Sequence, residues 1–158
     1  MSHHRKLRGI SLLALTLAMP AVAETTPAAT PADCEMQFTG LDADTSGTLT
    51  EAEAPQVYAR ARIDSMPIAD TGVTREEFLA GCTGNKYSHD APEAGAPFEG
   101  ANSFTEGQAQ DRATAWGVTA VSALTKDDKG IWRGTGTMEG KSVAVAIDYK
   151  GNVVTSAQ

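Results

Sequence analysis

The chain has 158 residues, 41% of them hydrophobic, with 20 acidic against 13 basic side chains and a formal net charge of −7. That length allows one ordinary domain or two very small ones. The acidity, with no basic stripe, argues against a nucleic-acid binder, whose affinity comes mainly from Lys and Arg against phosphates; cations or basic surfaces are the partners it favours.

Residues 1–23 read as a secretory signal. Arg5, Lys6 and Arg8 give a positive start, the ten residues Ile10 to Met19 are almost wholly apolar, and Ala21-Val22-Ala23 has the small-x-small form of a cleavage site. So short a run cannot cross about 30 Å of hydrocarbon as a helix, so no permanent membrane anchor is expected. Cleavage after Ala23 removes three of the thirteen bases and none of the twenty acids, which moves the charge from −7 to −10. Secretion implies an oxidising compartment. There the two cysteines, Cys34 and Cys82, are expected to form one disulfide, since a metal or redox site wants closer spacing than 48 residues.

After a short Thr/Pro/Ala lead comes an acidic region from about Asp33 to Cys82. Residues 24–82 carry eleven acids and three bases, whereas 83–158 carry nine and seven, so any cation site belongs to the first half. Its centre is "LDADTSGTLTEAE", Leu41 to Glu53. Calcium is a hard ion that takes about six to eight oxygens at about 2.3–2.6 Å, so a short loop must wrap it and bring oxygens in from many directions. Numbered from Asp42, the loop fills each role of the twelve-residue calcium site. Asp42, Asp44 and Ser46 stand at positions 1, 3 and 5, Gly47 makes the turn at 6, and Thr48 offers its carbonyl at 7. Thr50 stands at 9 and Glu53, the two-oxygen ligand, at 12, while Leu49 at 8 turns inward toward a neighbouring loop. Phe38 and Leu41 lie on one side of the entering helix, and the exiting segment runs through "EAPQVYARARI". Residues 42–53 thus resemble the EF-hand family.

EF-hand loops come in pairs, and the partner expected here lies within "IDSMPIADTGVTREEFLAGC". With Val73 as the pairing residue, Glu77 falls at position 12, but Met66 and Ile68 fall at 1 and 3 and offer no side-chain oxygen. Asp64 and Asp70 could supply a longer, distorted loop, against which stand Pro67 and a glycine displaced to 72. The reading is a degenerate hand that pairs Val73 with Leu49 and supports the first site. The resemblance puts Cys34 on the entering helix of the first hand and Cys82 on the exiting helix of the second, so the disulfide would brace the pair across residues 33–82. Three direct carboxylates, with hydroxyls at 5 and 9, imply a calcium affinity on the order of 10⁻⁶ to 10⁻³ M. Lanthanides are the alternative cargo, but the additional acids that favour them are not supplied by Ser46 and Thr50.

Residues 83–100, "TGNKYSHDAPEAGAPFEG", have no helical or strand period and read as a linker. Ser103 followed by Glu106 fits a capping box that opens a helix, and Gly117 can end it. Four strand-like segments follow, "VTAVSALTK", "IWRGTGTM", "SVAVAIDY" and "VVTSA", separated by turn signals. In the third, Val143, Val145, Ile147 and Tyr149 alternate with Ser142, Ala144, Ala146 and Asp148, the period of a half-buried strand. Trp116 and Trp132 are read as packing residues rather than a ligand cage. The openings "SFTEGQA", "DDKGIWRG" and "VAIDYKGNVV" resemble a PepSY-like domain over residues 101–158. That resemblance implies a helix on a meander that binds or restrains other proteins. Together the halves resemble short secreted proteins of alphaproteobacteria, which implies the periplasm.

The expected fold class is therefore α+β: a paired EF-hand unit, one loop intact and one degenerate, then a helix packed on an antiparallel meander. No serine elbow, zinc-type His pair, phosphate loop or reactive cysteine motif occurs, and after cleavage His89 is the one histidine left, so no enzyme is expected. The leading expectation is a secreted, non-catalytic calcium-binding protein. The alternative is a PepSY-like interaction or peptidase-modulating module, with a protein partner on the C-terminal half and a merely structural metal.

Overall fold

Helix α1 (Pro31–Leu41) starts where Thr30 and Asp33 exchange hydrogen bonds in a capping box, with Pro31 in the first turn. The computed structural model describes residues 29–158, so the signal expected at 1–23 lies outside the described residues. Cys34 and Phe38, four apart and so on one helix face, are the buried positions of α1. The chain then turns through the acidic loop into β1 (Thr48–Leu49), α2 (Pro55–Ile63), β2 (Val73–Thr74) and α3 (Arg75–Thr83). β1 and β2 pair antiparallel, with Leu49 opposite Val73 as the sequence leads one to expect. Around that pair gather Phe38, Val57 and Phe78, and Cys34 is bonded to Cys82 across α1 and α3.

Gly72 has a role that its sequence position hides. A Cβ there would lie 2.6 Å from the Leu49 carbonyl oxygen, so glycine is what lets β2 approach β1, whose Leu49 carbonyl also accepts from Tyr58 at 2.9 Å. It serves the strand pairing as well as the bend of the second loop, where its φ is 97° and its amide donates to the Ala69 carbonyl at 2.9 Å.

Helix α4 (Glu106–Ala115) is followed by β3 (Thr125–Lys126), β4 (Trp132–Met138), β5 (Lys141–Ile147) and β6 (Val153–Ala157), a meander in the order β3-β4-β5-β6. Ala109 and Ala113 of α4 pack on Val143, Val145 and Ile147 of β5 and on Val153 of β6. The chain is thus α+β, with four helices and two antiparallel sheets among the described residues. Three local expectations are corrected. The α4 cap is Thr105, whose side chain accepts from the Gln108 amide at 3.2 Å; Glu106 instead reaches the Leu124 amide at 2.9 Å, so Ser103 stays outside. The first strand shrinks to two residues plus a bridge between Thr119 and Thr137, because Val118–Leu124 packs as irregular chain. Tyr149 leaves the buried face: β5 stops at Ile147, the chain turns at Asp148, and Tyr149 is 40% exposed.

Residues 83–100 carry no strand, and Thr83 itself ends α3, yet the segment is far from a loose linker. It lies as a strap across the two hairpin turns at one end of the meander. Asp148, fully buried, accepts from the amides of Lys150 (2.9 Å) and Asn152 (3.0 Å), from the Asn152 side chain (2.9 Å), and from the strap's Phe98 amide (3.0 Å). Glu93 holds Lys150 at 2.8 Å, and the Glu93 amide donates to Asn152 at 3.0 Å. At the other turn Asp127 accepts from the amides of Lys129 (3.0 Å) and Ile131 (2.8 Å), Gly100 donates to the Lys129 carbonyl (3.0 Å), and Glu99 holds Lys129 at 2.5 Å. Asp-Asp-Lys-Gly and Asp-Tyr-Lys-Gly are one device used twice.

Asp148→Ala would strand four N–H donors, most of them shielded, at about 1–3 kcal/mol for each left buried without a partner. Urea unfolding should register a loss of several kcal/mol, and Asp148→Asn, which keeps one acceptor oxygen, should recover part of it. Asp127 gives a pH signature. The Ile131 amide first, then Arg133, hold its carboxyl below the usual aspartate range. A carboxyl lowered by folding stabilises the fold above its unfolded value of about 4, and that contribution fades as pH falls through the lower folded value. Amide shifts of Lys129 and Ile131, followed by NMR, should therefore titrate below about pH 4.

Helices α2 and α4 pack side by side, so the two cores lie on either side of a shared helix pair. Both helices bury small residues, Ala59 and Ala61 in α2, Ala109 and Ala113 in α4, which permits close approach. Arg62 of α2 bridges Glu51 and Asp111 of α4, each at 2.7 Å.

Candidate metal site

The acidic loop is organised by its own backbone. Thr45 and Gly47 are both left-handed, with φ of 57° and 82°, so the chain doubles back within three residues. Glycine adopts that conformation freely, and threonine at 45 does so at some cost. The doubling aims successive amides inward. Ser46 N–H donates to Asp42 Oδ1 and Asp44 Oδ1, each at 3.0 Å, and Gly47 N–H donates to Asp42 Oδ2 at 3.0 Å.

Glu53 closes the ring from the far side. Its carboxylate accepts from the Thr50 amide (2.9 Å), the Thr50 hydroxyl (2.7 Å) and, across the loop, the Ala43 amide (3.2 Å). It therefore points into the loop, with Pro55 starting α2 just beyond. One carboxylate oxygen each from Asp42, Asp44 and Glu53 lie within 4.8 Å of one another. The remaining expected residues join the same network. The Ser46 hydroxyl donates to the Thr48 carbonyl at 2.9 Å and lies 3.4 Å from Asp42 Oδ1, while the Thr50 hydroxyl is bound to Glu53. All six residues singled out in the sequence thus converge on one small volume.

Electrostatics there pull in two directions. Ser46, through its hydroxyl and then its amide, holds the Asp44 carboxyl below its ordinary value. The Thr50 amide and hydroxyl do the same for Glu53, against an opposing push from the Asp44 charge. The loop favours the ionised forms of Asp44 and Glu53 while holding them close together, a repulsion that a cation between them would turn into attraction. The donor set is all oxygen, which suits a hard divalent ion and gives a soft metal no sulfur or imidazole ligand.

The second loop takes the same terminal form without the acids. Thr74 and Glu77 repeat the Thr50–Glu53 arrangement, with the Thr74 amide at 2.9 Å and its hydroxyl at 2.8 Å from Glu77 Oε2. Among the described residues Asp64 and Asp70 join no cluster of possible metal ligands, and Ile68 packs against the core. Glu77 thus caps α3.

Comparison of the chain with family profiles, curated proteins and solved structures returned no match.

What sequence reading missed were the backbone donors that set the ring, the amides of Ala43, Ser46 and Gly47. The repeat "LTEAE" against "VTREE" carried the common turn, and aligning the two would have exposed it. His89, the one histidine expected to remain after cleavage, has its ring centroid 3.9 Å from that of Trp116.

Proposed function

We propose that the chain is a secreted, non-catalytic calcium-binding protein that takes one ion in the Asp42–Glu53 loop. The observation that carries this reading is the convergence of Asp42, Asp44 and Glu53 oxygens within 4.8 Å, with Glu53 held inward by the Ala43 amide. In this reading Asp42, Asp44 and Glu53 hold the ion by charge, Ser46 and Thr50 contribute hydroxyl oxygens or act through water, and Thr48 contributes its carbonyl. Bound calcium supplies positive charge at the centre of the ring and so ties α1 to the start of α2. The hand-like arrangement of α1 to α3, with Leu49 against Val73, supports an EF-hand pair in which the second loop is a scaffold. The intramolecular disulfide is compatible with an oxidising, extracytoplasmic setting, and no described helix is long and apolar enough to cross a membrane.

Calorimetric titration of the protein with calcium, magnesium and lanthanum tests this. One calcium per chain, with a dissociation constant on the order of 10⁻⁶ to 10⁻³ M, is the expected result. Heat with lanthanum and none with calcium would make the loop a lanthanide site, and silence toward all three would end the metal reading.

A further inference from the structure

We propose that the groove between α2, α4 and the β5–β6 turn binds a small organic oxyanion, a carboxylate or phosphate carried on a flat apolar body. The groove has a volume of about 730 Å³, well within the range of small-molecule sites. Its charge opposes that of the chain. Arg60 and Arg112 line it, and among the described residues neither makes an ion pair with a carboxylate, whereas Arg62, Arg75, Arg133, Lys129 and Lys150 all do. In a protein with 20 acids for 13 bases, two unpaired guanidinium groups beside one cavity are an unusual arrangement.

Each guanidinium is fixed by something other than a counter-charge. Arg60 Nη2 donates to the Ser88 carbonyl at 2.6 Å, while its Nε is shielded and has no partner. Arg112 lies over the Phe104 ring at 3.8 Å and donates to the Gln108 carbonyl at 3.3 Å. Burial, opposed by Asp111 and Asp64 and reinforced by the Arg60 charge, disfavours the Arg112 cation. Two such groups on one groove would gain from a bound anion, since a guanidinium offers paired N–H donors to a carboxylate or phosphate. Of the other charges on the rim, Lys150 is already held by Glu93, which leaves Lys86 and the single carboxylate Asp90. The apolar part has its own surface: Trp116, with the His89 ring tilted against it at 3.9 Å between centroids, together with Ile63, Ala115 and Val153.

The test uses the isotope-labelled, metal-free protein in NMR titrations with phenyl phosphate and with inorganic phosphate at constant ionic strength. Phenyl phosphate should shift amides of residues 85–93, Gly151 and Asn152 saturably in the millimolar range, and inorganic phosphate should do so more weakly. Arg60→Gln and Arg112→Gln should each weaken binding by about tenfold or more, while Lys141→Gln, an exposed charge outside the groove, should leave it unchanged. Shifts that fail to saturate, that map elsewhere, or that survive both arginine changes would overturn the proposal. Equal binding of the two phosphates would remove the role given to Trp116. Should an arginine variant fail to fold, the wild-type shift map decides.

Discussion

Glu53→Gln is expected to abolish the calcium heat while leaving the chain folded. Glutamine keeps one oxygen that can accept from the Thr50 amide and hydroxyl, so the turn into α2 survives. What it removes is a unit of negative charge and the second oxygen, and it sets an amide N–H₂ against the Ala43 N–H. Loss of an outer-shell partner alone costs about 10–100-fold in metal affinity, so loss of a direct two-oxygen ligand should exceed that range. Calorimetry measures the affinity, and far-ultraviolet circular dichroism checks the fold. Undiminished calcium binding by the variant would show that the ring is not the site. The same change at Glu77 should leave affinity nearly untouched, since that carboxylate only caps α3.

Replacing both Cys34 and Cys82 by alanine should produce the largest loss of stability. The bond closes a separation of 48 residues, for which the loop-entropy picture gives about 4 kcal/mol. Both cysteines are buried, at 0% and 7% exposure, so the double variant also loses packing between α1 and α3. Calcium at about 100 times its dissociation constant should return about 2.7 kcal/mol, because the ion binds only the folded loop. Denaturant unfolding of both forms, with calcium and with chelator, measures the two effects. On the proposed calcium reading the ion and the bond would brace the same unit at different points, so the gain from calcium should be similar in both forms, and a double variant indifferent to calcium would disconnect the loop from the fold.

The convergence of Asp42, Asp44 and Glu53 was legible because the spacing of acids, glycine and hydroxyls in one short loop is local, and local spacing is what a sequence preserves. Leu49 opposite Val73, and a disulfide joining α1 to α3, came from the same regularity. The meander was legible from the alternation of Val143, Val145 and Ile147 around clear turn signals. What escaped depended on contacts between distant segments. Tyr149 fits the alternation, but Asp148 interrupts it, because its carboxylate gathers amides from its own turn and from Phe98, fifty residues away. The Thr105 cap prevailed over Ser103 because Glu106 was recruited by Leu124. A Pro- and Gly-rich composition excluded helix and strand from 83–100, which holds for all but Thr83, the last residue of α3, but it carried no information about docking. Arg60 and Arg112, 52 positions apart, line one groove because α2 lies along α4.

Fastening the strap at both hairpins has a consequence for how this chain tolerates change. Glu93, Phe98 and Gly100 each engage a fixed point on the turns, so the intervals between them are set by the distance from one turn to the other. The Ala94 side chain faces solvent and can vary, whereas Gly95, at a φ of 92°, favours glycine, and an inserted or deleted residue would throw the later anchors out of step. A segment with the composition of a tether therefore works as a ruler, permissive in spelling and strict in count.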